Sequence, residues 1–72
     1  MKNRILIKFG HRVRQLRTEL RLSQEELAER AAVHRTYIGM IERAEKNITL
    51  ENIEKIAKAL EIPLGDLMNL EE

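Results

Sequence analysis

The sequence predicts an all-α domain of five helices, and three observations predict it. Apolar residues recur at alternating intervals of three and four along most of the chain, the period of a helix with one buried face. Helix-start signals stand ahead of two of those runs, at Ser23 and Thr49. The chain of 72 residues holds three glycines, one proline and no cysteine, so helices meet few breakers and neither a disulfide nor a cysteine zinc site can replace a packed core.

Helix 1 rests on Leu6, Phe9, Val13, Leu16 and Leu20. On the same wheel Arg14, Arg17 and Arg21 fall within about 60° of one another, beside the apolar stripe, and form a basic flank. Helix 2 starts at Ser23-Gln24-Glu25-Glu26, a capping box in which the serine hydroxyl meets the Glu26 amide and the Glu26 carboxylate reaches back. Leu27, Ala28 and Ala31 give it a small apolar face, and Glu25, Glu26 and Glu29 suit its positive end. The pattern breaks at residues 32–34 and resumes as helix 3, Arg35 to Arg43. There Arg35, Gly39, Arg43, Thr36 and Met40 span about 140° of one face, and Tyr37, Ile41 and Ile38 make the oily one. Thr49 caps helix 4, lined by Leu50, Ile53, Ile56, Ala57 and Leu60. Pro63 ends that run and opens a short terminal helix carrying Leu64, Leu67, Met68 and Leu70.

This length fits one domain, residues 1–72, and excludes a two-domain enzyme. So small a core is marginal alone, and Leu64, Leu67, Met68 and Leu70 follow an already saturated four-helix core, so a dimer through the terminal helix is expected. The longest apolar run, Ile5-Leu6-Ile7, is too short for a membrane span, and the expected location is the cytoplasm. The formal net charge of +1 hides a gradient. Lys2, Arg4, Lys8, Arg12, Arg14, Arg17 and Arg21 face only Glu19 in the first 22 residues, whereas acids dominate the last 24. One end could meet a polyanion.

Catalysis is excluded by inventory. Nucleophilic chemistry needs a nucleophile, a base and an orienting group, and the one serine, Ser23, is committed as a cap. His11 and His34 have no ligand partner at helical spacing. No glycine-rich phosphate loop is present. No catalytic residue, metal, cofactor or small-molecule substrate is expected.

Helix 2, a turn of about three residues and helix 3 with its sparsely filled polar face make the arrangement by which a helix enters the DNA major groove. From Leu22 to Ile62 the sequence resembles the lambda repressor and Cro type of helix-turn-helix protein, the xenobiotic response element family. The resemblance rests on Leu22-Ser23-Gln24-Glu25-Glu26-Leu27-Ala28, on Tyr37-Ile38-Gly39-Met40-Ile41-Glu42-Arg43 and on the run Leu50 to Leu60. Within that family, His34-Arg35-Thr36-Tyr37-Ile38 followed by Ile41-Glu42-Arg43 is most similar to the controller proteins of restriction-modification systems. The sequence departs from the family pattern where Ala32 and Ala44 replace turn glycines and where Glu45 replaces a base.

The resemblance implies a five-helix lambda-repressor-like domain and a homodimer through the C-terminal helices. It also implies binding of a palindromic double-stranded operator, as activator or repressor. Arg35 and Thr36, at the start of helix 3, and Arg43, two turns on, are the expected base readers, since arginine can contact guanine O6 and N7 together. Arg43 has a competing role in helix packing beside Glu42. Gln24 is expected at the DNA backbone, on the positive end of helix 2. Arg17, Lys46 and Asn47 can reach flanking phosphates, and the Tyr37 ring packs with its hydroxyl free to touch one. The alternative is an antitoxin-like or adaptor module that uses the fold to bind protein.

Overall fold

The computed structural model describes residues 3–70. Its helices are α1 (Arg4–Glu19), α2 (Gln24–Ala31), α3 (Arg35–Glu42), α4 (Leu50–Ala59) and α5 (Leu64–Leu67). Four of the five start on a side-chain acceptor that satisfies an otherwise unpaired amide. Asn3 Oδ1 accepts from the Ile5 amide at 2.9 Å, Ser23 Oγ from Glu26 at 3.0 Å, His34 Nδ1 from Thr36 at 3.0 Å and Thr49 Oγ1 from Asn52 at 3.1 Å. The capping box closes as expected, the Ser23 amide donating to Glu26 Oε1 at 2.8 Å. Pro63 opens α5 without a side-chain cap.

The four longer helices stop by one device. After α1 the Leu22 amide donates to the Arg17 carbonyl and the Arg21 amide to that of Thr18, both at 3.0 Å. The same pair of bonds recurs after α2, α3 and α4, the doubled closure in which one residue turns left-handed. Those residues are Arg21 (φ 59°), Ala32 (φ 58°), Ala44 (φ 60°) and Glu61 (φ 60°), and none is glycine. The next residue folds back as an apolar lid in three cases: Leu22 is buried, and Val33 and Ile62 pack against the core. The turn between α2 and α3 therefore takes a left-handed form on Ala32, with the strain a methyl group brings.

The core draws Phe9 and Val13 from α1, Leu27, Ala28 and Ala31 from α2, and Ile38 and Ile41 from α3. From α4 and its end come Ile53, Ile56, Ala57 and Leu60, and α5 adds Leu67. Helix α3 is clasped between α1 and α2, α4 packs on α2, and α5 packs on α4. At Gly10 the approach of α1 to α3 is backbone to backbone. A Cβ there would stand 2.5 Å from the Ile41 carbonyl oxygen and 2.9 Å from that of Glu42. Arg12 Nη2 reaches the Asp66 carbonyl at 2.7 Å and ties α5 to α1.

Three apolar positions differ from the sequence pattern. Leu20 is exposed because the chain reverses at Arg21 before another helical turn can cover it. Leu50 opens α4 one turn ahead of Ile53, the first residue of that helix to reach the core, and is also exposed. Leu67, expected on a dimer face, is fully buried within the protomer. Among the described residues no helix is long and apolar enough to cross a membrane.

Ala32 is exposed, so its methyl group contributes strain and little packing. A left-handed non-glycine residue costs roughly 1–2 kcal/mol, and the extra freedom of an unfolded glycine takes back about 0.4–1 kcal/mol. Ala32→Gly should therefore stabilise the domain by about 0.5–1 kcal/mol, read as a rise in Tm of a few degrees. An unchanged or lower Tm would place no strain in the turn.

Candidate nucleic-acid interface

The start of α2 and the outer side of α3 enclose an open groove of about 610 Å³. Arg17, Ser23, Gln24 and Glu25 line one wall, and Arg35, Thr36, Gly39 and Arg43 the other. The Ser23 box fixes the first wall. The Ser23 backbone amide and then its hydroxyl hydrogen-bond with Glu26, which holds the Glu26 carboxyl below the ordinary glutamate range. Because that value is depressed on folding, the cap contributes fully at neutral pH and is lost as the pH falls through the carboxylate range.

Three expected base readers stand on the second wall. Arg35 and Thr36 are exposed in the first turn of α3, and Arg43 is its C-cap. Each arginine meets a carboxylate of the same face: Arg35 Nη1 lies 3.0 Å from Glu25 Oε2 and Arg43 Nε 3.1 Å from Glu45 Oε1. All four side chains are largely open to solvent, so the pairs are worth about 0–1 kcal/mol and can open to another acceptor. Tyr37 is half-buried, and its hydroxyl oxygen accepts from Asn52 Nδ2 at 3.0 Å, which leaves its own proton to donate.

Arg17 is placed differently from the sequence expectation. Its Nε and Nη2 donate to Glu42 Oε2 and Oε1 at 2.7 and 2.9 Å, and its Nη1 donates to the Leu22 carbonyl at 2.8 Å. The side chains are 12% and 4% exposed, and each guanidinium nitrogen makes one hydrogen bond inside the protein, which commits three of the five N–H donors of Arg17. The hydrogen bond to Glu42 raises the Arg17 pKa further, against the opposing effect of burial. Glu42 Oε1 also accepts from Gln24 Nε2 at 3.1 Å. The expected backbone contact, Gln24, is thereby oriented by the same carboxylate. Arg14 and Arg21, the other members of the basic flank, are exposed.

Lys46 and Asn47 are exposed in the segment after α3 and stand outside the groove lining. Of the four residues expected between protomers, Leu64 and Met68 are exposed, at 42% and 38%, whereas Leu70 is partly buried against the core. Sequence reasoning missed Glu42, Glu25, Glu45 and Asn52 as partners of the site. The signal for Glu42 was its wheel position about 40° from Ile38, at the edge of the oily face. An acid there needs a base, and Arg17 borders the apolar stripe of the neighbouring helix.

Residues 13–67 match the family described as Helix-turn-helix. The chain is 49% identical over 70 residues to the control protein C.BamHI of Bacillus amyloliquefaciens, covering 96% of this chain and 86% of that one. Its structure resembles that of the restriction-modification controller protein C.AhdI from Aeromonas hydrophila. The TM-score is 0.85 at 48% identity, over 86% of this chain and 94% of that one. It also resembles C.Esp1396I bound to a 25 base pair operator site, with a TM-score of 0.84 at 31% identity, over 93% and 92% of the two chains.

Removing one member of a buried ion pair leaves the other charged and uncompensated, at a cost of about 3–5 kcal/mol. Arg17→Met and Glu42→Leu should each destabilise by roughly that amount in urea denaturation, and the double variant by far less than the sum. Additive losses would mean that the two side chains stabilise the fold independently.

Proposed function

The chain belongs to the helix-turn-helix family, among its restriction-modification controller proteins, and from that premise we propose that it binds a palindromic operator as a homodimer. Proteins of this family are transcription regulators and not enzymes. The regulated genes are those of a restriction-modification system. The observation that carries the reading is the face of α3, where Arg35 and Thr36 stand exposed in the first turn, Arg43 lies two turns on, and Gly39, without a side chain, stands between. That face is slim enough to enter a major groove and carries donors for base edges.

The roles divide accordingly. Arg35 reads a guanine through O6 and N7, with Thr36 and Arg43 beside it. Gln24, at the positive end of α2, and the Tyr37 hydroxyl hold the DNA backbone, with Lys46 and Asn47 reaching flanking phosphates. Arg17 is reassigned from phosphate contact to positioning, since three of its five N–H donors are already committed to Glu42 and Leu22. C.Esp1396I, a protein of similar fold, is bound to an operator site, which supports DNA binding through this fold. A second copy covers Leu64 and Met68 and sets the two α3 helices about 34–36 Å apart, or ~10 base pairs.

Arg35→Ala should cost ~1–3 kcal/mol in affinity, confined to the base pair it reads. The check is binding to the selected operator, a single-base variant of it and random duplex at several salt concentrations. An equal loss on all three would remove Arg35 as the reader. Binding of no duplex by the wild type would favour the protein-interaction alternative.

Sedimentation at micromolar concentration should give about twice the chain mass of 8.5 kDa. Met68→Glu should return the protein to a folded monomer, whereas Leu67→Glu should unfold it, because Leu67 is 0% exposed within the protomer. A monomer mass for the wild type throughout would contradict the dimer.

A further inference from the structure

Gly39 is buried although it lies on the groove side of α3, about one turn from either end of that eight-residue helix. What covers it is Arg43, one helical turn on. A Cβ built on Gly39 would stand 2.9 Å from Arg43 Nη1, 3.7 Å from Arg43 Cζ and 3.5 Å from Gln24 Oε1. The guanidinium therefore leans back over the helix toward its N-terminus, the direction in which helical side chains tilt. Glu45 holds the near end of the same group through Nε at 3.1 Å. The far end occupies the space that any side chain at position 39 would fill.

A glycine inside a helix is unfavourable by about 1 kcal/mol relative to alanine, and its φ here is not positive, so no backbone conformation requires it. Close approach of the α3 backbone to DNA would require it only if the position were open, and Arg43 lies across it. We propose that Gly39 is a specificity-determining position. Its missing side chain is the seat that directs the Arg43 guanidinium, with the Gln24 amide beside it, into the groove where base edges are read. This rests on the reading of α3 as the recognition helix.

Gly39→Ala tests it, because only the end of a flexible side chain stands in the way and the helix itself gains. Without DNA, Tm should rise by roughly 4–8 °C. The ¹⁵N-edited Nε resonance of Arg43 should move while that of Arg17 stays. Against an operator selected with the wild type, Gly39→Ala should lose roughly 5–100-fold in affinity, confined to the base pair that Arg43→Ala also affects. In an Arg43→Ala background the same substitution should cost less than about twofold.

An unmoved Arg43 resonance would overturn the proposal. So would a loss that persists without Arg43, because the added methyl group would then be meeting DNA directly. Undiminished operator affinity in Gly39→Ala beside normal wild-type binding would refute the seat alone. A wild type that binds no duplex would remove both the seat's role and the DNA reading beneath it.

Discussion

The Glu42 carboxylate, 4% exposed, is the constraint around which this small domain is arranged. It takes two hydrogen bonds from Arg17 of α1 and one from Gln24 of α2, and it is itself part of α3. Arg17 spends its remaining nitrogen on the carbonyl of Leu22, the residue that closes the turn after α1. Four segments therefore meet at one charge pair. Buried pairs of this kind contribute little net stability once desolvation is counted, but they penalise heavily any arrangement that leaves one partner alone. Their effect here is to fix one register of α1 against α2 and α3. Gly10 permits that register, because α1 approaches α3 at the Ile41 and Glu42 carbonyls with no side chain between.

The consequences reach the groove. With one Gln24 amide hydrogen committed to Glu42, the carbonyl oxygen is turned toward the floor of α3, 3.5 Å from where a Gly39 side chain would begin. Arg43 crosses that floor. The polar groups of the face are thus positioned by neighbours before any ligand arrives, which lowers the ordering cost of binding. Glu25 and Glu45 occupy Arg35 and Arg43 in the meantime through exposed pairs that a phosphate or a guanine can displace. Together with a formal net charge of only +1, these carboxylates keep the face from being a simple polycation, so base contacts and not bulk charge must supply much of the discrimination.

The helices were legible because each carries its own start signal and apolar period, as the Ser23 box and the run Ile53, Ile56, Ala57, Leu60 illustrate. That Arg35, Thr36, Gly39 and Arg43 share one side of α3 was legible for the same reason, since that helix is strongly patterned. The buried pairing of Arg17 was not legible, because periodicity reports which face of α1 a residue occupies and not what lies opposite. Its partner is 25 positions away on α3. Leu67 was assigned to the outside because five short helices do not reveal how far the core extends, and α5 closes over α4 with exactly one of its leucines fully inward. The left-handed turns at Arg21 and Glu61 were hidden by the absence of glycine, whereas Ala32 and Ala44 stand where the resemblance puts turn glycines.

Amide and arginine Nε chemical shifts, followed while a selected duplex is added to the labelled protein, test the central claim most directly. Perturbations should concentrate at Ser23 to Glu25 and Arg35 to Arg43. The Nε resonances of Arg35 and Arg43 should shift as their carboxylate partners are exchanged for DNA, and that of Arg17 should stay, because its bonds to Glu42 and Leu22 persist in the complex. Perturbations centred on α4 and α5, with α3 silent, or an Arg17 resonance that moves with Arg35, would contradict the assignment of α3 as the reading helix and of Arg17 as its internal support.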